Sequence, residues 1–95
     1  MLKQYEIMTI YKIDLGDQAA KDLSTKTQEL ITSMEGKVIK SQFWGRRKFA
    51  YEIKGKQEGY YDVINFEIDS DKISKLKGKL NLLNGLLRYL ISAQS

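Results

Sequence analysis

The order in which hydrophobic periodicity changes along the chain constrains the fold more than any other feature. Tyr5, Ile7, Thr9 and Tyr11 alternate with Glu6, Met8 and Ile10, so residues 3–11 carry the period of two that marks a β-strand. Ala19, Ala20, Leu23, Thr27, Leu30, Ile31 and Met34 then recur at spacings of three and four, which predicts an amphipathic helix over about 17–35. Asp14 stands where a helix N-cap belongs, and Asp17 places an acid in the first turn, where the helix dipole favours one. Gly36 follows as the expected left-handed C-terminal residue. From Lys37 the period returns to two and runs to about Lys54, interrupted at Gly45, where a bulge or sharp twist is expected. The polar, glycine-bounded segment Gly55–Gly59 leads into a further strand, Tyr60 to Ile68, so the two strands should form a hairpin. Asp69-Ser70-Asp71 starts a second helix with the stripe Ile73, Leu76, Leu80 and Leu83. Asn84-Gly85 ends it, Leu86 to Ile91 is a last strand, and Ser92 to Ser95 a short polar tail.

Strand, helix, strand, strand, helix, strand is the order of two β-α-β units sharing a central hairpin. It predicts an α+β fold of the ferredoxin-like split βαβ kind (β-α-β-β-α-β), a four-stranded antiparallel sheet with both helices on one face. Ninety-five residues without linkers, repeats or low-complexity stretches suit one domain, 1–95. The face without helices should carry Met8, Ile10, Tyr61 and Val63, more apolar than a solvated face requires, and such a patch implies a partner.

Composition narrows the chemistry. With no cysteine, disulfides and thiolate catalysis are excluded. With no histidine, the commonest general base and neutral metal ligand are missing. No Gly-rich phosphate loop, nucleophile–base pair or metal-ligand spacing is present, and Asp14, Asp17, Asp69 and Asp71 sit where helix capping explains them. A phosphatase of the acylphosphatase type would need an arginine in the loop after the first strand; Lys12-Ile13-Asp14-Leu15-Gly16 has none. We therefore expect no enzyme, cofactor, metal or small-molecule substrate. No apolar run approaches the ~18 residues of a membrane span, and Met1–Glu6 leads straight into a strand pattern, which points to an intracellular protein.

Charge is concentrated. Residues 37–56 hold seven Lys/Arg against one acid, Glu52, a local charge of +6 in a chain of net +4, so the remaining residues sum to −2. A focused basic patch is the electrostatic footprint of a polyanion, usually nucleic acid. Its centre is Trp44-Gly45-Arg46-Arg47-Lys48. The competing reading is a solvated edge strand defended by cations against aggregation. Neighbours on a strand face opposite ways, so Arg46 and Arg47 should play different parts. One meets phosphate while the other packs along the sheet or pairs with an acid, in an order the sequence leaves open. Trp44 suits either base stacking, worth ~1–3 kcal/mol in single-strand binders, or a core or hinge position beside Gly45. The lysines Lys72, Lys75, Lys77 and Lys79 lie on the polar side of the second helix, a solvated face. The aromatic signature of RNA-reading sheet platforms is absent.

Trp44 to Lys54, with Gly59-Tyr60-Tyr61 after it, resembles the central segment of the S-six family of bacterial small-subunit ribosomal proteins. Tyr5-Glu6 matches that family's first strand, and Leu87-Arg88-Tyr89-Leu90-Ile91 its last, so the similarity spans nearly the whole chain. Glu52 replaces the proline that often follows the tyrosine in the family's Ala-Tyr-Pro-Ile, which affects the geometry of the strand end. The resemblance implies a structural constituent of the small ribosomal subunit. It implies binding of small-subunit (16S) rRNA together with the ribosomal protein S-eighteen, in a cytoplasmic or organellar ribosome. Arg46, Arg47 and Lys48 become the leading rRNA contacts, with Lys54, Lys56 and Trp44 behind them. Another class remains beside it: a self-associating ferredoxin-like regulatory module whose basic block lines a small-anion pocket.

Overall fold

The computed structural model describes residues 1–94, and Ser95, the end of the expected tail, lies outside them. Its elements are β1 (Leu2–Lys12), a 3-10 turn (Ile13–Leu15), α1 (Asp17–Ser33), β2 (Lys37–Ile53), β3 (Lys56–Asp69), a second 3-10 turn (Ser70–Lys72), α2 (Ile73–Asn81) and β4 (Leu86–Gln94). The sheet order is β2-β3-β1-β4, with every neighbour antiparallel. This is the expected split βαβ arrangement.

The period-two pattern of β1 and β3 chooses their faces. Tyr5 lies opposite Phe66 and Ile7 opposite Ile64; with Ile68 they pack against Ile31 and Met34 at the end of α1 and against Leu76 and Leu80 of α2. Phe66, Ile7, Ile31, Ile64, Ile68 and Leu76 are fully buried. A second cluster, Tyr11, Ala20, Leu23 and Tyr60, closes the other end. There the Tyr11 hydroxyl lies 2.9 Å from Thr27 Oγ1. Thr27 donates its own proton to the Leu23 carbonyl at 2.9 Å, so the phenol must donate to Thr27. Burial raises the Tyr11 pKa to about 12, which keeps the phenol neutral.

Three local expectations are corrected. Asp14 does not cap α1: the N-cap is Gly16 at φ 88, without a side-chain cap bond, and Asp14 sits in the preceding 3-10 turn. At the far end of α1 the left-handed residue is Glu35 (φ 65), not Gly36. The Glu35 amide donates to the Thr32 carbonyl and the Gly36 amide to Ile31, both at 3.0 Å, which is the Schellman closure. Glycine is needed one residue later because a Cβ on Gly36 would lie 2.8 Å from the Ile31 side chain and backbone oxygen. Lys72 holds this closure, donating to the Met34 carbonyl at 3.0 Å and to the Glu35 carboxylate at 2.9 Å, so it is not part of a freely solvated lysine face. The third correction is the hairpin. Its turn is only Lys54-Gly55, both at positive φ (49 and 79), between the paired Ile53 and Lys56. That is the backbone twist two-residue hairpins require. β3 thus begins at Lys56, inside the segment expected to be a loop, and β4 runs on to Gln94.

Candidate nucleic-acid interface and open sheet face

The distal half of the β2–β3 hairpin carries the basic residues, and two irregularities in β2 shape it. The first is at Gly45 (φ 82): Phe43 pairs with Asp62 and Gly45 with Tyr61, leaving Trp44 unpaired and 48% exposed. This is the bulge expected from the glycine, and exposure leaves Trp44 available for stacking. The second irregularity lies between the pairs Lys48–Glu58 and Ile53–Lys56. Four residues of β2, Phe49 to Glu52, stand against Gln57 alone. The surplus chain swings outward, and its aromatic side chains turn over the helix-free face. Phe49 packs on Tyr61 with ring centroids 6.0 Å apart.

Register sorts the six expected site residues. Arg46 is paired across the ladder with Tyr60 and reaches Glu58, with Nε to Oε1 at 2.9 Å and Nη2 to Oε2 at 3.0 Å. Hydrogen bonding to this guanidinium holds the Glu58 carboxyl below its ordinary pKa. Lys56 is likewise committed, 3.0 Å from Asp14, and its hydrogen bond lowers the Asp14 pKa. Asp14 thus fastens the hairpin end to the turn after β1 instead of capping a helix. Arg47 donates to the Arg46 carbonyl at 2.9 Å; it, Lys48 and Lys54 are exposed. Among the described residues, no carboxylate lies within ion-pairing distance of Arg47, Lys48 or Lys54. Of the two arginines left unassigned by sequence, Arg46 is therefore the one that pairs with an acid, and Arg47 the one whose charge is uncompensated.

The open face has a floor of Met8, Ile10, Tyr61 and Val63, as expected. Ile10 and Val63 are nevertheless only 5% and 7% exposed, and beside Ile10 the swung-out segment covers part of the floor. Tyr51 and Ile53 join Met8, Ile10, Tyr61 and Leu90 around a depression of about 290 Å³, and Arg88 lines it too. Close approach of the two halves requires Gly59. A Cβ there would lie 2.7 Å from Ile10 Cγ2, 2.9 Å from the Tyr11 carbonyl and 3.0 Å from Phe49 Cζ. Sequence reasoning missed Arg88 as a surface feature because it was read only as part of a strand. Its pairing with Ile10 across β1–β4 puts it on the open face, and that alternation was readable. Among the described residues no cluster of acidic side chains could hold a metal ion, and no helix is long and apolar enough to cross a membrane.

Residues 4–93 match the family described as "Ribosomal protein S6". The small ribosomal subunit protein bS6 of Fusobacterium nucleatum is 33% identical over 93 residues, covering 98% of this chain and 99% of that protein. The bS6 of Citrifermentans bemidjiense is 40% identical over 89 residues, 94% of this chain and 66% of a longer relative. The crystal structure of the 30S ribosomal protein S6 from Thermotoga maritima superposes with a TM-score of 0.92 at 28% identity, covering 99% of this chain and 89% of that one.

Proposed function

The chain belongs to the ribosomal protein S6 family, structural proteins of the small ribosomal subunit and not enzymes, and on that premise we propose that it binds small-subunit rRNA through the distal β2–β3 hairpin, together with the ribosomal protein S-eighteen. The observation that carries this reading is the division of charge on the hairpin. Arg46 and Lys56 are neutralised by Glu58 and Asp14 and stiffen the hairpin. Arg47 and Lys54 have no acid within ion-pairing distance among the described residues, and Lys48 stands across the ladder from the Glu58 already bonded to Arg46, so net positive charge remains on the framework so held. Phosphate contacts release condensed counterions, so a few such cations supply affinity without reading bases. The guanidinium of Arg47 can fork onto phosphate oxygens, while the lysines act as point charges. Arg46 keeps part of its guanidinium exposed and contributes behind these three, Lys56 less, and Trp44 by stacking. Specificity comes from RNA shape and from the joint surface with the protein partner.

With net charge +4, the protein alone binds rRNA weakly and needs that partner. The test is binding of the isolated central domain of small-subunit rRNA, with and without S-eighteen, at several salt concentrations. The expected result is tight binding only with both proteins present, and its loss in an Arg47→Glu/Lys48→Glu double variant. Equal affinity of variant and wild type would remove the hairpin from the interface. Nanomolar binding by the wild type alone would remove the requirement for S-eighteen.

A further inference from the structure

Where β2 leaves the ladder, the segment Phe49 to Glu52 arches away from β3. Between the arch and Gln57 and Glu58 lies a recess of about 440 Å³, lined at one end by Lys48. That volume is within the ~300–1,000 Å³ typical of small-ligand sites. The ladder pairs Lys48–Glu58 and Ile53–Lys56 close the recess at its two ends. An extended strand therefore cannot run through it, whereas a short, flat group can enter from the side. The arch has no cross-strand partners in the ladder, which leaves peptide donors and acceptors beside the recess.

Two side chains add to them. The side-chain hydrogen bonds at this end of the hairpin run from Arg46 to Glu58, from Arg47 to the Arg46 carbonyl and from Lys56 to Asp14. They leave out Glu52 and the Gln57 amide, and among the described residues no cation lies within ion-pairing distance of Glu52. An ionised carboxylate only accepts, while a side-chain amide both donates and accepts. Tyr51 also lines the recess and is 66% exposed, an aromatic surface open to stacking at its rim. Charge divides the space. Lys48, with Arg47 next to it, favours a phosphate at one end, and Glu52 disfavours one inside. The interior suits a planar polar group that brings N–H donors of its own. A nucleobase with an exocyclic amino group is such a group, and carboxylates accept from the amino group of cytosine.

We infer that this recess seats one unpaired nucleotide, with its phosphate on Lys48 and its base edge on Glu52 and the Gln57 amide. Cytosine is preferred to uracil, because its amino group donates to Glu52 where the uracil carbonyl opposes the carboxylate. The inference rests on the reading that the hairpin binds rRNA, and it adds a base contact to the phosphate contacts.

The experiment follows the backbone amide NMR signals of the full chain during titration with cytidine 5′-monophosphate, uridine 5′-monophosphate and ribose 5-phosphate. Cytidine monophosphate should shift the amides of Phe49 to Glu52 and of Gln57 saturably, and bind more tightly than uridine monophosphate. Ribose 5-phosphate should shift only the amides of Arg47 and Lys48. Glu52→Gln should reduce the preference for cytidine by about fivefold or more, and Gln57→Ala should weaken both nucleotides. Lys75→Gln, on the exposed side of α2, should change nothing, and unchanged urea midpoints for the other two variants confirm that they fold. On the rRNA central domain with S-eighteen, Gln57→Ala should weaken binding without altering its salt dependence, because a base contact releases no counterion. Equal shifts from ribose 5-phosphate and both nucleotides would overturn the proposal and leave a phosphate contact only. Amides of the arch that neither nucleotide moves would make the recess a hydrated gap in the ladder. Wild-type protein that prefers cytidine monophosphate but fails to bind rRNA would uphold the seat and overturn the rRNA reading.

Discussion

Arg46 and Glu58 form a two-toothed ion pair across the β2–β3 ladder, at 2.9 and 3.0 Å, while among the described residues Arg47 beside them pairs with no acid. Adjacent residues on a strand face opposite ways, and this pair turns that geometry into a division of labour. It predicts unequal effects on rRNA binding, measured with S-eighteen present. Arg47→Gln should weaken binding across the whole salt range and lower the slope of log affinity against log salt by about one. Arg46→Gln should do less, because it removes a charge that Glu58 already offsets. Glu58→Gln should strengthen binding by releasing Arg46. Weaker binding in Glu58→Gln would show that the pair serves RNA chiefly by holding the strand straight.

Gly59 couples the core to the interface. A Cβ at this position meets Ile10, the Tyr11 carbonyl and Phe49 at 2.7–3.0 Å, and the carbonyl is backbone that cannot step aside. Gly59→Ala should therefore cost about 1–3 kcal/mol by overpacking and push Phe49 off Tyr61. Urea unfolding measures the first effect, and a change in the near-ultraviolet circular dichroism of the packed rings the second. A variant as stable as wild type would mean that the hairpin end is free to lift from the sheet.

The core itself is predicted by the register of β1 and β3. Phe66 is fully buried between Tyr5, with ring centroids 5.7 Å apart, and the residues of both helices. Phe66→Ala should cost about 3–5 kcal/mol, read as a lower urea midpoint with an unchanged slope. A loss under ~1 kcal/mol would mean that the surrounding side chains collapse into the cavity far more completely than core truncations usually allow.

These elements show what was legible in the sequence and what was not. Alternation in residues 3–11 and 60–68 and the three-and-four spacing of α1 carried the fold, because each period is set by burial on one face. The bulge at Gly45 was legible as a glycine inside a strand. The fate of Asp14 was not: local propensity made it a cap, but a lysine 42 residues away took it, a contact that only the folded hairpin creates. The exchange of roles between Glu35 and Gly36 was also hidden, since it depends on how closely Gly36 packs on Ile31. In the basic block, the sequence located the charge but not its pairing. The surplus residues Phe49 to Glu52 kept a perfect alternation of faces, so nothing in their pattern revealed that they leave the ladder and roof the open face.

Asp62 gives the last prediction, because its pH dependence has the opposite sign to that of the other perturbed carboxylates. Asp14, Glu35, Glu58 and Asp69 have lowered pKa values, each from a hydrogen-bonded partner. The stability they contribute is present above their unfolded values and is lost as pH falls through the lower folded ones. Asp62 is fully buried beneath α1. It accepts the Ser24 hydroxyl on Oδ2, while among the described residues no donor meets hydrogen-bond geometry at Oδ1. Burial raises its pKa, and hydrogen bonding from the Ser24 hydroxyl and the Val63 backbone amide offsets this only in part. The folded state therefore binds a proton that the unfolded chain has already released, and stability falls as pH rises from the unfolded value of 3.8 through the raised one. Asp62→Asn keeps an acceptor for Ser24 and cannot ionise. Relative to wild type it should gain stability steadily from pH 4 upward and level off above the folded pKa, as read from urea midpoints at each pH. A difference that stays constant with pH would mean that folding leaves the Asp62 pKa at its unfolded value.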